Sequence, residues 1–170
     1  MLTARLALEL EAVRATLART SRARLRVVSP DGCFYLVEFT VRTLVQGDDG
    51  VVREEERVVP VSYELSSTHP LEPPIAIALQ RDLFNVHIHD PRQPSSLPPL
   101  AFICLGTFRP EHRLADWISA TYAVLAYARL ATHHGLNPQA LAFARRALGT
   151  GRFPIDPTPF FAPLPEAPGT

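Results

Sequence analysis

The stretch Ala101-Phe102-Ile103-Cys104-Leu105-Gly106 carries one thiol out of an apolar strand and into a turn. Its aromatic and β-branched residues suit a buried strand. Leu105-Gly106 then offers turn chemistry, so the Cys104 side chain can leave the core. About thirty residues upstream stands His69-Pro70-Leu71-Glu72-Pro73-Pro74. Directly downstream, Leu114-Ala115-Asp116-Trp117-Ile118 opens a segment of helical spacing.

Working toward the N-terminus, Leu2, Leu6, Leu10, Val13 and Leu17 recur at the spacing of one helical face. Thr3 is the expected cap of that helix, and Thr20-Ser21 its end. Arg24 to Ser29 reads as a strand, followed by a Pro30-Asp31-Gly32 turn. Cys33 to Val45 is rich in β-branched and aromatic residues and reads as the next strand. Gly47-Asp48-Asp49-Gly50 is a hairpin turn, and Arg53 to Leu65 brings the chain back. Ile75 to Leu79 completes the set, with Ile75, Ile77 and Leu79 on one face and alanines opposite. The reading is α+β: a leading helix, a four-stranded antiparallel meander, a cysteine loop and C-terminal helices.

Phe84 to Leu100 is irregular and dense in proline. Helical spacing then runs from Leu114 to Ala131. A last helix, Pro138 to Leu148, has Asn137 as cap, Pro138 in its first turn and Gly149 as its stop. Beyond Phe153 the prolines forbid regular structure, and the Phe160-Phe161 pair is expected to dock on the domain. The expected organisation is a domain over residues 1–150 and a proline-rich tail over 151–170.

At 170 residues and 46% hydrophobic content, the chain can bury one real core. Its formal net charge is zero, and the arginines near the start lack interleaved aromatics, so nucleic acid is not an expected partner. No apolar run approaches the roughly 20 residues that a spanning helix needs, so no membrane partner is expected. Leucines alternate with charges at the start, unlike a signal peptide. Two cysteines without such a signal fit free thiols in the cytoplasm.

In its order of parts, the chain resembles the ubiquitin-conjugating enzyme family. His69-Pro70-Leu71-Glu72-Pro73-Pro74 keeps the three prolines of the family's Tyr-Pro-x-x-Pro-Pro motif. Ile103-Cys104-Leu105 is similar to its active-site tripeptide, and the resemblance spans roughly Leu2 to Leu148. Two features depart from it. The family's His-Pro-Asn motif, normally shortly before the cysteine, falls here among Pro94 to Pro98, without an asparagine. The family's tryptophan is displaced to Trp117. Such departures resemble bacterial members that accompany ubiquitin-like proteins, activating enzymes and JAB-type metalloproteases in antiphage operons.

The resemblance implies that Cys104 accepts a ubiquitin-like protein as a thioester from an activating enzyme, then passes it to an amine on a target protein. Cysteine suits both steps, because a thiolate attacks well and leaves well. The transfer step builds an oxyanion and calls for a nearby hydrogen-bond donor. Asn85, His87 and His89 are the candidates across the longer loop. The plain alternative for Cys104 is a buried structural cysteine, and for the histidines a packing role. Two histidines at i, i+2 without a third ligand at fitting spacing do not make a metal site, and no cofactor is implied. Cys33 reads as a packed residue, and Asp116 as an exposed helix carboxylate or an orienter of the incoming amine. The resemblance also offers the first helix, with Arg5 and Arg14, to the activating enzyme. Two rival readings stand beside this one. One is an inactive variant of the fold that acts as a binding module. The other is a cysteine hydrolase pairing Cys104 with His87 or His89.

The chain has no lysine; all 17 of its Lys and Arg residues are arginine. Arginine-rich coding in a GC-rich genome explains this without function. A surface that denies the thioester an internal acceptor explains it with one. Under the second account, lysines introduced near Cys104 should yield a self-adduct that resists hydroxylamine on denaturing gels. Its absence from several such variants would leave codon bias as the explanation.

Overall fold

The computed structural model describes residues 4–69, 71–107, 109 and 111–162. Leu2 and the expected cap Thr3, Pro70 of the proline motif, and the tail from residue 163 lie outside the described residues. The chain order is α1 (Ala4–Leu17), β1 (Ala23–Val28), β2 (Phe34–Gln46), β3 (Val52–Glu64), β4 (Ile75–Ala78), β5 (Ala101–Phe102), α2 (Leu114–Leu125) and α3 (Pro138–Ala147).

The sheet is built around β2 and β3, which pair antiparallel from Phe34–Glu64 to Gln46–Val52. Alternation puts Tyr35, Val37 and Phe39 on the buried face, directly opposite Tyr63, Val61 and Val59. Each such side chain, fully buried, contributes about 1.5–3 kcal/mol. The hairpin between them closes through the N–H of Gly50, which donates to the Gly47 carbonyl at 2.9 Å. Gly50 has φ of 74°, a conformation that favours glycine. α2 lies against β2, and α1 packs on α2 and β1. Leu6, Val13 and Leu17 thereby join Leu114, Ile118 and Leu125 in the main core.

Five strands form the sheet, in the order β1-β2-β3-β4-β5, which corrects the expected four. The fifth is the strand that carries the chain to Cys104. It pairs Phe102 with Ile77 and Ala101 with Ala78. With two residues it is too short to show a period of two, so the sequence offers no sign of its pairing.

α2 also ends early, at Leu125 rather than Ala131. Tyr127 takes a left-handed φ of 57° and leaves the helix for a second apolar cluster with Leu44, Phe84, Val86 and Ile155. There it stacks on Phe153 at 5.2 Å, and its hydroxyl donates to the Phe84 carbonyl. Burial of this ring outweighs continued helical spacing. Residues 153–161 form no helix or strand, yet they lie across the domain. The N–H groups of Ile155 and Asp156 donate to the Ala126 carbonyl, at 3.0 and 3.1 Å. Asp156 accepts from the Arg42 N–H at 3.0 Å, and Phe160 packs 5.2 Å from Tyr122.

The inward face of α1 includes Glu9, a polar residue among leucines. Its carboxylate accepts the N–H of Leu114, the first residue of α2, at 3.0 Å. The other oxygen lies 3.5 Å from Nε2 of the fully buried His69. A carboxylate at a helix N-terminus satisfies an orphan donor and opposes the helix dipole. Glu9→Ala should lower the unfolding free energy by about 2–3 kcal/mol, because a buried donor is left unmade. Glu9→Gln keeps an acceptor and should lose less. Urea titration checks both, and an unchanged midpoint for the alanine variant would remove Glu9 from this role.

Candidate functional site

The segment following the second-cluster residue Phe84 runs beside the cysteine strand. The Cys104 N–H donates to the His87 carbonyl at 2.7 Å, and the His89 N–H donates to the Phe102 carbonyl at 2.9 Å. Ile88 and Ile103 pair between them, and both are buried. Cys104 and His87, the neighbours of these isoleucines, both line one pocket. Cys104 is exposed, while Ile103 and Leu105 on either side of it are buried.

The turn after Cys104 is held from outside. Arg129 donates from Nη1 to the Leu105 carbonyl at 2.7 Å. Gly106, at φ of 90°, lies so close that a Cβ there would sit 2.2 Å from the Arg129 guanidinium. The backbone angle favours glycine here, whereas a Cβ would only push aside the far end of the flexible Arg129 side chain.

A pocket of about 140 Å³ opens at the thiol, lined by His87, Cys104, His134, Gly135 and Leu136. His87 is half-buried, and its Nε2 has no hydrogen-bond partner among the described residues. Burial, aided by the charges of Arg129 and His134, holds its imidazole below the usual histidine range. A neutral imidazole beside the thiol can donate one hydrogen bond without bringing a charge.

The other two expected donors are engaged elsewhere. Asn85 is buried; its Nδ2 donates to the Val124 carbonyl at 2.7 Å, and its Oδ1 accepts the His87 N–H at 2.9 Å. It fastens the His87 segment to the end of α2. His89 is also buried, with Nδ1 2.9 Å from the Leu100 carbonyl, and it does not line the pocket. Asp116 accepts the Arg113 N–H at 2.8 Å and so closes the first turn of α2. Cys33 is half-buried and lines a separate cavity with Arg5, Leu6, Ser66 and Ser67. Among the described residues, no three His, Cys, Asp or Glu side chains gather as a metal site. No helix among them is long and apolar enough to cross a membrane.

His134 and Arg129 escape a sequence reading. His133-His134-Gly135 is an ordinary loop composition, and only the return of the chain past Val86 places it at Cys104.

Comparison by sequence finds no matching protein-family model and no matching curated protein. Comparison of structures finds clear likenesses at low identity. A Plasmodium vivax ubiquitin conjugating enzyme E2 superposes with a TM-score of 0.51 and 16% identity, over 71% of this chain and 98% of that one. A ubiquitin conjugating enzyme E2 from Plasmodium falciparum gives 0.52 and 17%, over 75% and 100%. A Trypanosoma cruzi ubiquitin conjugating enzyme gives 0.53 and 16%, over 85% and 88%. The chain has the fold of these enzymes.

The His87 environment sets a pH dependence. With its pKa held below 6.5, the native chain binds fewer protons there than the unfolded chain does in mild acid. The resulting stability is fully present above the ordinary value and is lost as pH falls through the lowered one. NMR titration of the His87 ring should find it neutral at pH 7 and titrating below 6.5. His87→Gln should flatten the fall in stability over that window. A ring that titrates above that value would contradict the assignment.

Proposed function

We propose that this chain is a ubiquitin-conjugating-type transferase that accepts a ubiquitin-like protein as a thioester on Cys104 and passes it to a target amine. The observation that carries this reading is the exposed Cys104 thiol, hydrogen-bonded through its backbone to His87, at one pocket of a ubiquitin-conjugating fold. Cys104 is the nucleophile and later the leaving group. His87 takes the place of the missing asparagine. As a neutral donor of a single hydrogen bond, it would stabilise the oxyanion as the amine attacks, a contribution of about 10²–10³ in rate. Asn85 acts through His87, because its side chain fixes the backbone on which that imidazole stands. The partners are a ubiquitin-like protein, a target, and an activating enzyme that engages α1, where Arg14 is exposed. The lost His-Pro-Asn motif and displaced tryptophan favour a cytoplasmic bacterial conjugation system of the antiphage kind.

The chain should form an adduct when incubated with the activating enzyme and ubiquitin-like protein of its own operon and ATP. On non-reducing gels that adduct should vanish with thiol and be missing in Cys104→Ala. His87→Ala should load normally but discharge to amine about 10²-fold more slowly, at the low end of an oxyanion donor's worth. With a demonstrably charged activating enzyme, no adduct on the native chain would mean an inactive fold acting as a binding module.

A further inference from the structure

The pocket at Cys104 holds two imidazoles in different surroundings. His87 is half-buried near Arg129, so a proton gained there would leave a poorly solvated cation close to a guanidinium. His134 is exposed, so its cation is solvated. Among the described residues, no carboxylate lines the pocket.

The loop that presents His134 is tied down at several points. The N–H groups of Leu136 and Asn137 donate to the Val86 carbonyl, at 2.8 and 3.4 Å. Gly135 presses on Val86 so closely that a Cβ there would lie 2.7 Å from that carbonyl oxygen. Arg145 of α3 donates to the carbonyls of Thr132 and His133, at 2.6 and 3.0 Å. Asn137 caps α3 by accepting the Ala140 N–H at 3.0 Å. These ties hold His134 at the mouth of the thiol pocket.

We propose that His134 receives the proton of the attacking amine as an acyl group leaves Cys104. This rests on the thioester reading above and adds the group that makes the acceptor nucleophilic. In the step, the amine nitrogen bonds to the thioester carbonyl carbon, and the bond from that carbon to Sγ breaks. Sγ leaves with the electron pair as thiolate. The proton passes from nitrogen to the His134 imidazole and on to the thiolate or solvent. The labour divides by environment: the half-buried His87 stays neutral and donates to the oxyanion, while the exposed His134 takes up charge. The charged or titratable groups around it are His87, Cys104, Arg129, on its own loop His133, and from α3 Arg145.

The test uses a Cys33→Ser chain acylated at Cys104 by a diglycyl aryl thioester and purified, with glycinamide as the acceptor. Amide product is followed by mass spectrometry. His134→Ala should load at the rate of the parent and form amide about 10²-fold more slowly. Added imidazole should restore much of that loss while accelerating the parent little. His133→Ala should behave as the parent. Amide formation by His134→Ala at the parental rate overturns the proposal and leaves the thioester reading intact. A slow variant that imidazole cannot rescue overturns it too, since that marks a merely structural role. A parent chain that takes no acyl group at Cys104 overturns both readings.

Discussion

The peptide units of Val86 and His87 are where the architecture and the candidate chemistry meet. The His87 carbonyl takes the N–H of Cys104, and the Val86 carbonyl takes those of Leu136 and Asn137. The His87 N–H is held in turn by Asn85. One short turn, closed by the Ile88 N–H on the Asn85 carbonyl at 3.2 Å, thus spaces the thiol from the loop before α3. Because backbone groups buried from water must be paired, these bonds are obligatory. The pocket exists because they are made on both sides of the segment.

Around this junction the fold uses polar anchors where shape alone would not choose an arrangement. Apolar burial drives α1 and α2 together but is indifferent to small slides between them. Glu9 removes that freedom, since its carboxylate must meet the first N–H of α2 and faces His69 at the base of the proline motif. Asp156 does the same for the C-terminal segment, accepting the Arg42 and Thr158 N–H groups at 3.0 and 2.9 Å. Each anchor joins parts far apart in sequence, and each would cost more to leave unpaired than its bond contributes.

Much of the architecture could be read from local patterns. β2, β3 and α3 stand within a residue of where periodicity, turn residues and the Asn137-Pro138 cap put them, and α1 runs where its periodicity does, stopping at Leu17. The places that escaped such reading share one cause. The strand before Cys104 was legible, but β5 is too short to show that it joins the sheet, and α2 stops because Tyr127 is drawn into a cluster built by Leu44, Phe84 and Ile155. The inward face of α1 was expected to be apolar, but Glu9 is buried in it because Leu114 and His69 supply its partners. In every case a distant residue outweighed the local preference.

The candidate site divides the same way. By itself the sequence determined that a thiol would leave an apolar strand at a Leu-Gly turn, because alternation and turn chemistry are properties of adjacent residues. It also determined the order of helix, meander and helices. Only the tertiary structure decided which polar residues stand at that thiol. It turned the amide of Asn85 to Val124, sent His89 to the Leu100 carbonyl, kept His87 beside Cys104 and brought in His134. A side chain's hydrogen-bond partner and burial depend on which segments pack against it. That packing is settled by the burial and pairing of the whole chain.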